Sequence, residues 1–298
     1  MLFTNGRGFM LNNIIRKLQR LPERLKLTLF ALYRTSRVGG FSSFEIKYIK
    51  PNRILEGKKV LVTGGSSGIG LAIAEEFSDQ GARVVVTGRS LDRLEKIFGG
   101  RETSFFNYIE WDVTDLTLTE RKLAECRNIL NGDIDILINN AGVVNGIKFP
   151  NVKESDWDEI YQINSKALFF LTQAVCRYWI SSKKRKLKKI INISSQGAYV
   201  GALYPYRMSK WDLSGLTEGL GKLLAPKKII VNAIAPGITA TKAVSTDIKN
   251  DNIYCAENPL GRVALPKEIA GLASYIASDA SNFIVGQTII CDGGYSLK

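Results

Sequence analysis

The chain has 298 residues, 45% of them hydrophobic, with 27 glycines, which suits a globular fold with a sizeable core. It contains no histidine. That excludes every Ser–His, Cys–His and imidazole–metal mechanism and leaves Tyr, Lys, Asp, Glu and Cys as acid–base groups. The net charge of +13 is uneven: residues 1–50 hold ten Lys or Arg against two acidic residues, so +8 of it lies there.

Residues 1–50 read as a basic amphipathic extension. Leu11, Ile14, Ile15, Leu18 and Leu21 fall near helical spacing, with Arg16, Lys17 and Arg20 between them. After Pro22, Leu25, Leu29, Leu32 and Tyr33 share one side of a second helix. Three fates fit: packing on the rest of the chain or across an oligomer interface, lying in an anionic membrane surface, or acting as a mitochondrial transit peptide. No stretch reaches the ~18–20 apolar residues that span a bilayer, and no small-residue cleavage site follows as in a secretory signal. The expected location is cytoplasmic, with membrane contact left open through this extension.

From residue 58 a β-branched run, a glycine turn, a helical segment ending at Gly81 and a second β-branched run form a βαβ unit. Further strand-like runs are 134–142, 189–195, 228–237 and 287–294, each after a helical stretch. Strands alternating with helices predict a parallel sheet covered on both faces.

The turn "TGGSSGIG" runs from Thr63 through Gly64, Ser66, Ser67, Gly68 and Ile69 to Gly70. Gly64 permits a tight turn after the strand, Gly68 close approach of backbone to a pyrophosphate, and Gly70 close packing of the helix that follows. A nucleotide is the expected ligand. An acidic residue about 20 positions on would bind a ribose 2′-hydroxyl. Here Gly88 and Arg89 stand at that place, and a guanidinium pairs with a 2′-phosphate, which favours NADP(H) over NAD(H). Asp92 is explained by capping the next helix.

Tyr206 and Lys210 are four apart, so on a helix the ammonium lies beside the phenol and would lower its pKa. Pro205 suits a first helical turn and forces Tyr204 to be extended, so Tyr204 and Tyr199 read as pocket walls. "KKRKLKK" (183–189) reads as a solvated helix end, and Trp157, Trp179 and Trp211 as core or interface packing. Cys126, Cys176, Cys255 and Cys291 show no CxxC and read as reduced core thiols, with no metal site. No interleaving of basic and aromatic residues argues for nucleic acid.

Taken together, TGGSSGIG, NNAG (139–142), the Asn of "YQINSKALF", the ISS strand end, YxxxK and the PG after the sixth strand resemble the short-chain dehydrogenase/reductase family. The resemblance covers about residues 54 to 298, and the C-terminal part is most similar to the 3-oxoacyl-carrier-protein reductase branch. It implies an α/β, doubly wound Rossmann fold with a seven-stranded parallel sheet, one catalytic domain over 51–298 and a homodimer or homotetramer. By the same resemblance Tyr206 is the general acid/base, and Lys210 binds the nicotinamide ribose and lowers the tyrosine pKa. Ser195 polarises the substrate oxygen, with Ser194 as a rival, and Asn164 holds a relay water. Asp112 and Val113 contact the adenine. Asn140, Ala141 and Gly142 line the ribose, and Pro236, Gly237, Thr239 and Thr241 surround the carboxamide. The implied reaction is reduction of a carbonyl or its reverse. The substrates left open are a 3-oxoacyl thioester, a keto-sugar or polyol, and a steroid or other lipid ketone. A protein that binds NADP(H) as a sensor or scaffold without turnover is the alternative. Residues 242–258, mostly polar with Tyr254, are the expected substrate lid.

Overall fold

In the computed structural model, residues 53–100, 106–182, 186–241 and 252–297 are described, together with Pro22, Leu25, Thr28, Leu29, Leu32, Tyr33 and Ser36. The first amphipathic stripe, Leu11 to Leu21, and residues 242–251 of the expected lid lie outside the described residues. Leu25, Leu29, Leu32 and Tyr33 are helical, as their spacing predicts, and all four are exposed.

Seven strands form one parallel sheet: β1 (Lys59–Val62), β2 (Arg83–Gly88), β3 (Phe106–Glu110), β4 (Ile136–Asn139), β5 (Lys188–Ile193), β6 (Ile229–Pro236) and β7 (Thr288–Cys291). Their order is β3-β2-β1-β4-β5-β6-β7. The order in which strands are added therefore switches sides between β1 and β4, and in such sheets the crevice beyond the strand ends at that switch is where ligands bind. The central strands are Val/Ile-rich because both their faces are covered.

The helices are α1 (Gly68–Asp79), α2 (Leu91–Phe98), α3 (Thr119–Ile129), α4 (Glu154–Tyr161), α5 (Leu168–Ser181), α6 (Pro205–Leu224) and α7 (Pro266–Ala277). Side chains alternate across a strand, so Val60 and Val62 join α1, α2 and α7 through Ile73, Phe77, Leu94 and Ile269. Leu61 instead joins α3 and α5 through Leu123, Leu171 and Trp179. No helix among the described residues is long and apolar enough to cross a membrane.

Three sequence expectations change here. β3, "FNYIE", has a single β-branched residue and no apolar run to announce it. The basic run 183–189 is not a solvated helix end throughout, since Lys188 and Lys189 are buried in β5. Lys188 donates to Asp135 Oδ1 and the Ile134 carbonyl, both at 2.8 Å. Lys189 donates to the Ile276 and Ser278 carbonyls at the end of α7 and to Ser281 Oγ, where a cation suits the helix dipole. Of the four thiols only Cys126 and Cys176 are core residues, and burial pushes both up to about 12. Cys255 and Cys291 are only partly buried. Trp179 is buried and bonded to the Ile134 carbonyl, whereas Trp157 and Trp211 sit at the surface.

Candidate active site

β1 ends in a turn that only glycine fits easily: Gly64 and Gly68 have φ of +66° and +56°. A side chain at Gly70 would strike the Asn140 amide and the Gly64 carbonyl. Asn140 holds this turn in place. Its Nδ2 donates to the carbonyls of Thr63 (3.0 Å) and Gly64 (2.9 Å). Thr63 Oγ1 in return accepts from the backbone N–H of Asn140 and Ala141. Thr63, Gly70 and Asn140 thus shape the cradle more than they contact what it holds. The N-cap of α1, Ser67, makes no side-chain cap. The first N–H groups of the helix remain available to an anion.

This cradle opens into a cavity of about 680 Å³ at the C-terminal ends of the strands. Its walls include Gly64, Ser66, Ser67, Gly68, Ile69, Arg89, Asp112, Val113, Asn140, Ala141, Gly142, Ser195, Tyr206, Lys210, Pro236, Gly237, Thr239 and Thr241. Residues far apart in the chain, from Gly64 to Thr241, thus meet around one space. Asp112 Oδ1 accepts from the backbone N–H and hydroxyl of Thr114. Thr239 Oγ1 donates to the Gly237 carbonyl, which tightens the loop after β6.

Three buried polar atoms on the cavity wall have no hydrogen-bond partner among the described residues: Thr87 Oγ1, Trp111 Nε1 and Gln196 Oε1. A buried polar group left so costs about 1–3 kcal/mol. Donors and acceptors arrayed around a slot with an anion-binding helix end fit a nicotinamide dinucleotide. Arg93, Trp111 and Gln196 were not singled out from sequence. Arg93 lies four residues after Arg89 and lines the same end of the cavity, a spacing that would have flagged it.

At the other end, Tyr206 and Lys210 occupy adjacent turns of α6, with the Lys210 Nζ 5.8 Å from the centre of the Tyr206 ring. Lys210 is buried and donates to the Ile193 carbonyl at 2.8 Å. Burial lowers its pKa to about 8. The Tyr206 phenol moves upward, not downward as the spacing alone predicts. Burial raises it, a hydrogen bond from Ser195 offsets part of the rise, and Tyr204 adds to it.

Ser194 and Ser195 separate clearly. Ser194 is buried and donates to the Lys210 carbonyl, while Ser195 faces Tyr206 and accepts from the Gly197 N–H. Tyr204 is extended as Pro205 requires and stacks near Tyr206, their centroids 6.2 Å apart. Tyr199 and Tyr254 do not line the cavity.

Asn164 lies in a π-helical stretch, Gln162–Ala167, between α4 and α5. Such bulges recur at functional sites. Its side chain accepts from the Val143 N–H and donates to the Val143 carbonyl, both at 2.9 Å, and to Ser209 Oγ. The amide is therefore occupied in fixing the loop after β4 to α6 and has no free donor for a relay water.

Comparison with known proteins agrees with this geometry. A family model described as enoyl-(acyl carrier protein) reductase matches residues 64–296. The chain belongs to the short-chain dehydrogenase/reductases. A 3-oxoacyl-(acyl-carrier-protein) reductase of Aquifex aeolicus is 34% identical over 248 residues, covering 80% of this chain and 98% of the relative. Gluconate 5-dehydrogenase of Gluconobacter oxydans is 33% identical, covering 82% and 96%. The crystal structure of a 3-ketoacyl-(acyl-carrier-protein) reductase from Brucella melitensis complexed with NADH superposes with a TM-score of 0.74 at 27% identity, over 82% of this chain and all of the other. This short-chain dehydrogenase/reductase is accordingly an oxidoreductase with a nicotinamide-binding fold, and its relatives interconvert hydroxyl and keto groups.

Proposed function

We propose that the chain reduces a carbonyl to a hydroxyl, or runs the reverse, with NADP(H) as its preferred cofactor. One observation supports this most: Ser195 and Tyr206 face each other beside buried Lys210, in the same cavity as the glycine turn. A bound nicotinamide supplies or accepts the hydride. The raised phenol of Tyr206 stays protonated at neutral pH and gives its proton to the carbonyl oxygen. Ser195 donates a hydrogen bond to that oxygen and polarises it. Lys210, anchored on Ile193, is available to ribose hydroxyls and holds a positive charge near the phenol when Tyr206 must instead accept a proton. Arg89 and Arg93 support the NADP(H) preference, since two guanidiniums at the end of β2 suit a 2′-phosphate.

The same proposal seats a second copy of the chain against the groove along α4, the π turn, α5 and α6. That groove, of about 920 Å³, is bordered by exposed Trp157, Phe169 and Phe170. Velocity sedimentation of Phe170→Glu against the parent tests it.

Catalysis is tested with a panel of keto-acids, keto-sugars and 3-oxoacyl thioesters, followed by loss of NADPH absorbance. Oxidation of NADPH by at least one ketone supports the reading. A protein that binds NADPH tightly and oxidises none of the panel is a cofactor-binding protein without turnover.

A further inference from the structure

Arg207 follows the tyrosine of the site and has no structural task that accounts for its charge. It lies in the first turn of α6, which holds no acidic residue. There the helix dipole disfavours a cation. No carboxylate lies within ion-pair distance of it among the described residues. Among the described residues its guanidinium makes one hydrogen bond, from Nη1 to the Gly201 carbonyl at 2.8 Å, and lies 5.4 Å from the Tyr204 ring centre. A guanidinium has five N–H donors. Arg207 is thus held in place while most of its donors stay open.

Its stem lies beside the reacting groups. A Cβ placed on Gly197 would come within 3.1 Å of Arg207 Cγ and 3.3 Å of Ser195 Oγ. Arg207 lines the cavity together with Tyr204 and Tyr206.

Among the titratable residues lining the cavity, Arg89, Arg93, Arg207 and Lys210 face one carboxylate, Asp112. Arg89 follows β2 and Ser195 follows β5, three strand steps apart in the sheet. At roughly 4.8 Å per step that is about 14 Å. The stem of Arg207 therefore stands at the Ser195 side of the cavity, three strands away from the strand that leads into Arg89 and Arg93.

We infer that Arg207 is a specificity-determining residue that binds an anionic oxygen group, a carboxylate or a phosphate, carried by the carbonyl substrate itself. The inference rests on the carbonyl-reductase reading. The substrate is then a keto-acid or phosphorylated ketone, oriented with its carbonyl between Ser195 and Tyr206 and its charge against the guanidinium.

The test compares matched ketones with and without the charge: levulinate against levulinamide, and dihydroxyacetone phosphate against dihydroxyacetone. With NADPH, wild type should show at least tenfold higher kcat/KM for the anionic member of one pair, and the pair that does so identifies carboxylate or phosphate. Arg207→Met should collapse that ratio toward one, and Arg207→Lys should restore part of it. A ratio near one in wild type, or one that survives Arg207→Met, overturns the inference. So does a loss of NADPH affinity in Arg207→Met that matches the loss in rate, since that would give the residue to the cofactor.

Binding is read separately in the Tyr206→Phe protein with NADPH bound, from the change in NADPH fluorescence as each ketone is added. Should no ketone be turned over, the reductase reading fails on its own. Tighter binding of the anionic member that depends on Arg207 would still uphold the anion site, and equal binding would reject it.

Discussion

Lys188 and Lys189 enter β5 where the strands begin, and there each ammonium meets acceptors on neighbouring elements. Thr87, Trp111 and Gln196 lie where the strands end, and there each has a buried polar atom that meets none. Lys210, at the same end as these three, is buried like Lys189 and pushed by burial to the same value of about 8. Yet among the described residues Lys189 has three acceptors within reach and Lys210 has the Ile193 carbonyl alone. The difference teaches how to tell buried charge that builds the fold from buried charge that awaits a ligand. The first is completed by the chain and the second is not.

The largest effect that would break this contrast is expected at Tyr206. Tyr206→Phe removes the proposed proton donor and should lower turnover by about 10²–10⁴-fold with NADPH affinity nearly intact. Steady-state kinetics beside a fluorescence titration measure both, and near-parent turnover would refute the assignment.

Lys189→Met acts at the opposite edge. It removes three charge-assisted hydrogen bonds, to two carbonyls and a hydroxyl, and should cost about 2–4 kcal/mol of stability in a urea titration, with NADPH affinity unmoved in the protein that remains folded. A change in affinity without a change in stability would erase the distinction between the two edges.

Arg89→Met should weaken NADPH by about 1.5–3 kcal/mol, the worth of a charge-assisted hydrogen bond, and NADH by much less. Equal losses would show that Arg89 serves something other than the 2′-phosphate.

The pH profile sharpens the contrast between the two lysines. Lys210 has a folded pKa below its ordinary 10.5, so its ammonium is present below about pH 8 and lost above it. Tyr206 is shifted upward and stays protonated through that range. Reduction should therefore fall by about tenfold per pH unit above pH 8, and Lys210→Arg should carry this limb to higher pH. A limb that ignores the substitution belongs to another group.

The smallest effect concerns an unpartnered hydroxyl. Thr87→Val removes a buried donor that nothing accepts, so the cofactor-free protein should gain about 0.5–1 kcal/mol. Its thermal stabilisation by NADPH should shrink. Destabilisation would show that Thr87 has a partner in solution.

Legibility from sequence followed physical range. The turn at 63–70 could be read because its glycines, the strand before and the helix after are contiguous, and local backbone demands suffice to define it. Ser195, Tyr206 and Lys210 were picked out by resemblance to a family, and the structure brings them into one cavity; the proximity of Tyr206 and Lys210 was also legible through helical spacing. The structure sets Ser195 apart from Ser194 by orientation, which adjacent serines do not betray in sequence. The phenol's upward shift was missed because the spacing reports the neighbouring cation and not the burial that outweighs it. Trp111, Gln196 and Arg207 became visible only once distant segments closed around one cavity, whereas Arg93 carried a local signal in its spacing from Arg89. Lys188 and Lys189 misled because a run of like charge normally marks solvent. Their partners Asp135, Ser278 and Ser281 come from 53 to 92 residues away.

The Asn140 amide bonds carbonyls 76 and 77 residues earlier in the chain. The nucleotide cradle therefore cannot mature when the first βαβ unit forms. It is completed only after β4 has docked beside β1, which couples ligand recruitment to the joining of segments distant in the chain. A ligand that prefers the completed cradle stabilises the native state by mass action. NADPH would thus act as a pharmacological chaperone for this chain, favouring molecules whose central strands are correctly joined over partly assembled ones.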